Sequence, residues 1–393
     1  MKNTSYKFTI FSCFSGYITQ AITVNFPPLL FVVFINEFNL PFSQLTSLIT
    51  ITFVIQLFID YFVSKLITTR NIKALVVSSQ VSAIIGLVGL AFLPDLFGSY
   101  SFIGLTICAC FYSAGSGLIE VAVSPIVENC PTKNKSAFMS LLHSFYCWGS
   151  AFTIGFSTLF FYFRGTTNWR LLAILWALIP AINAILMLVM QIPEIESNNT
   201  GNSKSVFKSK TFIFMFTLMM LGGAAELAVS QWSSAFAETG LNISKSAGDI
   251  AGPFIFAILM GLGRVIFTIF GSKIRLLNYM LISGMMLTVG FILAAFSPNP
   301  ILSFVGIALC GFAVAIFWPG TLSLAAAHFG SSASIFGILA FAGDTGCTVG
   351  PLLVGLVSEQ FYNNISVGLG FSLIFPIGML LMVLLLKINK KRI

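Results

Sequence analysis

The chain has 393 residues, of which 57% are hydrophobic and only 8% charged, with a net charge of +8 and a mean hydropathy of +0.97. Soluble domains carry about 25% charged residues, so a water-soluble globule is excluded, and apolar runs of span length from end to end call for helices that satisfy their own backbone in lipid. The positive balance does not indicate nucleic acid, because the charges sit in short loops between apolar runs, as positive-inside residues do.

Lys2 and Lys7 precede a first apolar run, 8–36, that is too long and too lacking in a cleavage site for a signal peptide, so it is expected to stay as the first span. Its larger polar residues before the Pro27-Pro28 pair are Tyr17, Gln20 and Asn25. Eleven further spans are predicted at 43–66, 73–93, 100–128, 136–163, 171–191, 211–237, 248–270, 276–296, 300–327, 332–358 and 366–387. The longest polar interruption runs from Gln191 to Lys210 and is rich in Ser, Asn, Gly and Lys, the composition of a flexible linker. The expected organisation is therefore an N-terminal six-helix bundle (1–191), a linker (192–210) and a C-terminal six-helix bundle (211–393).

With the N-terminus inside, the inner segments hold Lys2 and Lys7; Lys65, Arg70 and Lys73; Lys133 and Lys135; Lys204, Lys208 and Lys210; Lys273 and Arg275; and Lys387, Lys390, Lys391 and Arg392. The outer loops hold Arg164, Arg170 and Lys245. Sixteen against three places both termini and the linker in the cytoplasm. Trp169 and Arg170 at an outer boundary read as interfacial anchors and nothing more.

The two halves echo each other. SAFMSLLHSFYCWGS (136–150) lies without gaps on ASIFGILAFAGDTGC (333–347), and FNLPFSQLTSLI (38–49) on TGLNISKSAGDI (239–250). A repeat of six spans about a linker fits a transporter with its site between two halves.

Spans four and five form a hairpin around a polar loop, Asn129 to Ser136. Glu120 precedes that loop by about a dozen residues and His143 follows it at a similar distance, which at roughly 1.5 Å of rise per residue puts them at one depth. Ionisable groups within a membrane are costly and default to functional hypotheses. His143, Tyr146, Cys147 and Ser150 share one helix face. The bland alternative for Glu120 is a protonated acid that holds helices together by hydrogen bonds.

These residues carry a resemblance to the major facilitator superfamily, and within it to the fucose and glucose/galactose permease branch and the related sodium-dependent glucose transporters. Proton-coupled fucose permeases have Leu-Glu-x-x-x-Asn-Pro in span four, followed by Asn-Leu-x-Gln-x-Phe-Asn-x-x-Gly in span five. Here the matching stretches run from Ile119 and Glu120 to Ser124 and Pro125, and then from Ser140 and Leu141 through His143, Phe145 and Tyr146 to Gly149. The resemblance implies a proton-coupling role for Glu120. Span seven, GGAAELAVSQW, is similar to the family's Gly-Ala-Glu/Gln stretch before a Trp, which brings in Glu226 and Trp232. The family's first-span Asp has no counterpart, and its loop after span two survives only as Asp60 with Lys65 and Arg70.

The remaining candidates come from position. Glu226 and Asp344 lie near the middle of spans seven and eleven. Trp318 is level with Asp344, and Trp232 follows Gln231, so each indole could face a sugar ring with polar groups at its edge. Asp60 and Arg264 lie near the inner ends of spans two and eight, where they would be gate charges or snorkelling side chains. The Gly-rich tracts around Gly115, Gly117, Gly222, Gly223, Gly261 and Gly263 read as close helix approaches, and no nucleotide-binding loop or zinc-type Cys spacing occurs.

The sequence thus predicts an all-α integral membrane protein of twelve transmembrane helices in two pseudo-symmetric six-helix bundles. It predicts no enzyme and no cofactor, but a monomeric secondary active transporter in the cell membrane. Its partners would be a small solute, a sugar by resemblance, a coupling ion (a proton) and the lipid bilayer. Coupling would fall to Glu120, His143, Glu226 and Asp344. Solute contacts would fall to Tyr17, Gln20, Asn25, Tyr146, Gln231, Trp232 and Trp318, with gate charges at Asp60 and Arg264. A drug or metabolite exporter of the same fold is the alternative.

Overall fold

A computed structural model describes residues 6–63, 70–131, 135–194, 206–270, 275–329 and 333–390, which are helical almost throughout, with no strand among them. Among the described residues, eleven helices are long and apolar enough to cross a bilayer. The helix Lys135–Arg164, at 30 residues, is also long enough to span. The protein is a multi-pass, all-helical membrane protein.

The chain divides into two compact units, one of Met1–Leu40 with Ile51–Ser197, the other of Pro41–Thr50 with Asn198–Ile393. The first unit begins with α1 (Lys7–Asn25), a 3₁₀ turn (Pro27–Leu30) and α2 (Phe31–Phe38). Pro27 and Pro28 lack an N–H to continue the helical ladder, so the chain tightens there before resuming. Asn39, at φ 53°, stops α2. The first span expected at 8–36 is therefore two helices joined by a tight turn. Then come α3 (Phe42–Val63), whose first turns to Thr50 belong to the second unit, α4 (Ile72–Leu96), α5 (Ser101–Asn129), α6 (Lys135–Arg164) and α7 (Trp169–Val189).

Lipid gives these helices no hydrophobic reason to associate, so close packing and polar contacts must do it. A Cβ on Gly115 of α5 would lie 2.6 Å from the Ser79 carbonyl of α4, so only glycine permits that approach. Thr19 of α1 donates to Gln80 of α4 at 2.8 Å, and Asn183 of α7 donates to Thr19 at 2.9 Å. This network fixes α1, the most deeply buried of the candidate spans.

The second unit contains α8 (Lys210–Ser230), α9 (Ser233–Ala235), a π turn (Phe236–Gly240), α10 (Lys245–Asp249), a second π turn (Ile250–Phe254) and α11 (Ile255–Phe270). After these come α12 (Leu276–Phe296), α13 (Pro300–Val314), α14 (Phe317–Phe329), α15 (Ala333–Gln360), α16 (Ile365–Phe371) and α17 (Ile374–Lys390). The runs expected as single spans at 211–237, 248–270, 300–327 and 366–387 are each interrupted. Broken helices are tolerated in a membrane where other groups take up the freed backbone. Helices α8 and α15 meet backbone to backbone, since a Cβ on Gly346 would lie 1.8 Å from the Met220 carbonyl.

Candidate functional site

In the first unit the polar residues of α1 recur at Tyr17, Gln20 and Asn25, and each meets a side chain of α5 or α6. The Gln20 amide donates from Nε2 to Glu120 Oε2 at 2.6 Å, short for an amide donor. The Tyr17 hydroxyl lies 3.4 Å from Ser124 Oγ, one turn beyond Glu120 on α5. The Tyr17 ring also meets His143 of α6 edge-on, with centroids 5.5 Å apart and planes at 80°. Further along, Asn25 Nδ2 donates to Ser150 Oγ at 2.9 Å, and Ser150 in turn donates to the Tyr146 carbonyl at 2.8 Å.

Helix α1 thus lies between the hairpin helices and collects their polar groups. Tyr17 is 2% exposed and Gln20 5%, whereas Glu120 and His143 are half-buried. The acid and the imidazole both meet side chains of α1. Gln20, expected to contact solute, takes hold of Glu120. The motif's Asn position, occupied by Ser124, bonds back to α1 through Tyr17. Residues 132–134 of the hairpin loop lie outside the described residues, as do the side chain of Asp60 and Lys65 of the loop after span two.

In the second unit Glu226 of α8 and Asp344 of α15 are both buried. The Arg264 guanidinium of α11 is close enough for its charge to act on the Glu226 carboxyl. Arg264, expected as a gate charge, is half-buried, with Nη2 4.0 Å from Met260 Sδ. The indole of Trp318 packs against Gly343, one residue before Asp344 in α15. Gln231 is buried, as is Trp232. Trp232 donates from Nε1 to the Pro351 carbonyl at 3.0 Å, and its ring stacks on Phe42, 5.8 Å between centroids. Both its polar atom and one ring face are engaged within the fold.

Two charge clusters escaped the sequence reading. Trp169 and Arg170, read as interfacial anchors, form part of one: Trp169 is fully buried and donates to Glu37 at 2.8 Å. Arg170 pairs with Glu37 at 2.5 Å and with Asp95 at 2.8 Å. The correction has a simple cause, because the partner acids lie far away in sequence. In the other cluster Lys245, counted as a loop charge, pairs with Glu238 and Asp249, each at 3.1 Å, and Ser234 hydrogen-bonds to Asp249. One signal was available: laying 38–49 on 239–250 puts Glu37 opposite Glu238, so each half carries an acid at the same place.

The geometry offers an acid held by an amide, an imidazole against the Tyr17 ring, and hydroxyl and amide groups along α1. It contains no group of His, Cys, Asp or Glu fit to hold a metal among the described residues.

The family model of the Major Facilitator Superfamily matches residues 9–351. No curated protein sequence matches the chain. Among solved structures, a bacterial homolog of the human lysosomal transporter Spinster is similar, with TM-score 0.75 and 14% identity, over 98% of this chain and 97% of that one. The nucleoside transporter NupG gives TM-score 0.69 and 16% identity over 97% and 98%. The Escherichia coli fucose:proton symporter FucP gives 0.65 and 15% over 98% and 99%. At these identities the likeness shows the fold.

Proposed function

The chain belongs to the major facilitator superfamily, and from that premise we propose that it is a secondary active transporter moving a sugar together with a proton. A small-molecule transporter working in a lipid bilayer, and not an enzyme, is what the family provides. The finer reading is carried by one observation: Glu120, at the acid position of the fucose-permease pattern, is bonded to Gln20 on the most buried span. An acid so placed can exchange a proton when water reaches it from either side.

In this reading Glu120 and His143 couple the proton in the first half, with Glu226 and Asp344 as the acids of the second. Tyr17, Gln20, Asn25 and Tyr146 in one half, and Gln231 and Trp318 in the other, supply the solute's polar and aromatic contacts. Trp232 contributes by packing, and Asp60 and Arg264 act as gate charges. A sugar suits a site with many hydroxyl and amide groups and few fixed charges, and one similar structure is that of a fucose:proton symporter. The excess of Lys and Arg in one set of loops supports cytoplasmic termini in a cell membrane.

Transport by proteoliposomes holding a proton gradient tests this reading against a panel of sugars. Glu120→Gln is expected to abolish uphill uptake of the transported sugar while leaving exchange down its own gradient. Normal proton-driven accumulation by that variant removes Glu120 from the mechanism.

A further inference from the structure

Gln20 presents two polar atoms, and only one has an evident partner. Its Nε2 donates to Glu120 Oε2 at 2.6 Å. Its Oε1 is buried without a hydrogen-bond partner among the described residues, on a side chain only 5% exposed. Buried carbonyl oxygens are normally satisfied, so an orphan beside a titratable acid asks for a reason. A carboxylate offers no hydrogen to such an oxygen, whereas a protonated carboxyl has one O–H donor.

We propose that the Gln20 carboxamide and the protonated Glu120 carboxyl close into a cyclic acid–amide pair, with the Glu120 O–H donating to Gln20 Oε1 and Gln20 Nε2 donating to the other Glu120 oxygen. This inference rests on the reading that Glu120 takes up the coupling proton. The bond already present anchors one side of the ring. Closing the other needs only rotation about the terminal torsions of the two side chains, which are broad and soft. The carboxylate keeps a single bond from the amide and leaves Oε1 unmatched, while the acid satisfies both amide atoms. Gln20 is thus a positioning residue: it holds the carboxyl in both protonation states and accepts a hydrogen bond in one.

The elements packed against α5 bring few other titratable groups to this depth. They are Cys13 and Tyr17 on α1 and His143, Tyr146 and Cys147 on α6; α3, whose Gln56 donates to Ser116 of α5, carries Asp60 and Tyr61, and on α4 Lys73 and Asp95 lie at the helix ends. A carboxyl signal from Glu120 is distinguished from that of Asp60 by its loss in Glu120→Gln and its persistence in Asp60→Asn.

The test is infrared difference spectroscopy of the full chain in lipid vesicles, stepping from alkaline to acid pH with no solute added. A protonated-carboxyl band that disappears in Glu120→Gln is expected. With it should come a glutamine side-chain carbonyl band moving to lower frequency, as a newly accepted hydrogen bond requires, and carbon-13 glutamine identifies that band. Glu120→Gln should remove the movement, and so should Gln20→Leu, so the assignment survives if one of them does not fold. A Glu120 band accompanied by an amide carbonyl that stays put or moves up overturns the ring and leaves the proposed function standing. Absence of any Glu120 protonation band overturns both.

Discussion

The Arg170 guanidinium lies 2.5 Å from the Glu37 carboxylate and 2.8 Å from that of Asp95, and Lys245 repeats the arrangement in the second unit with Glu238 and Asp249. Each cation holds two acids, but burial differs. Asp95 is half exposed, whereas Asp249 is 0% exposed. Exposed pairs contribute about 0–1 kcal/mol, while removing one partner of a buried pair costs about 3–5 kcal/mol. Arg170→Met is therefore expected to lower the thermal unfolding temperature slightly and Lys245→Met severely. Equal losses in a melting experiment would show that burial does not decide between them.

A second prediction concerns Tyr17, which touches both hairpin helices. Its hydroxyl contact to Ser124, at 3.4 Å, is longer than the usual O–H···O range of about 2.5–3.0 Å. The edge-on ring contact with His143 is of ordinary aromatic geometry. Tyr17→Phe should leave the melting temperature close to that of wild type, because a bond that long contributes well under about 1 kcal/mol, while transport falls through the loss of a proposed solute contact. Tyr17→Ala should destabilise by about 3 kcal/mol, by emptying a buried aromatic site. Wild-type transport by Tyr17→Phe would remove the hydroxyl from the solute contacts.

Much of this arrangement was legible in the sequence. Apolar runs lead directly to a multi-pass helical membrane protein, and the spacing of Glu120 and His143 about their loop singles out two residues that the structure sets against Gln20 and Tyr17 of α1. The interruptions were less visible, because Pro27-Pro28 and Gly252-Pro253 sit inside runs whose hydropathy never falls. Hydropathy reports transfer into lipid, not the continuity of a backbone ladder. The hold of Gln20 on Glu120 joins residues 100 positions apart, and that of Arg170 on Glu37 residues 133 apart. Such pairings depend on which helices become neighbours, which local pattern does not encode.

The glycines give a graded test of helix approach. A Cβ on Gly346 would meet the Met220 carbonyl at 1.8 Å, a backbone atom that is unable to move aside. A Cβ on Gly222 would meet Phe317 Cβ at 3.4 Å, an ordinary contact. Gly346→Ala should force α8 and α15 apart at a cost of at least about 1–3 kcal/mol, whereas Gly222→Ala should be tolerated. Melting of the two purified variants checks this, and a destabilised Gly222→Ala beside a normal Gly346→Ala would contradict the packing.

The last prediction uses a group just beyond the end of α5. Cys130 is fully buried, and burial pushes its thiol from the ordinary 9.0 up to about 11. A thiol raised in this direction favours the fold fully below pH 9.0, and that contribution fades as pH climbs toward about 11. Since the thiolate is the reactive form, at pH 8 about one Cys130 in a thousand would be ionised in the folded protein, against about one in ten when unfolded. A variant retaining Cys130 as its sole cysteine should therefore react with maleimide at least about a hundredfold more slowly when folded than in denaturing detergent. Raising the pH toward 10 should narrow that gap. Rapid labelling of the folded protein at pH 8 would mean that the end of α5 opens to water far more often than its packing against α1 and α4 allows.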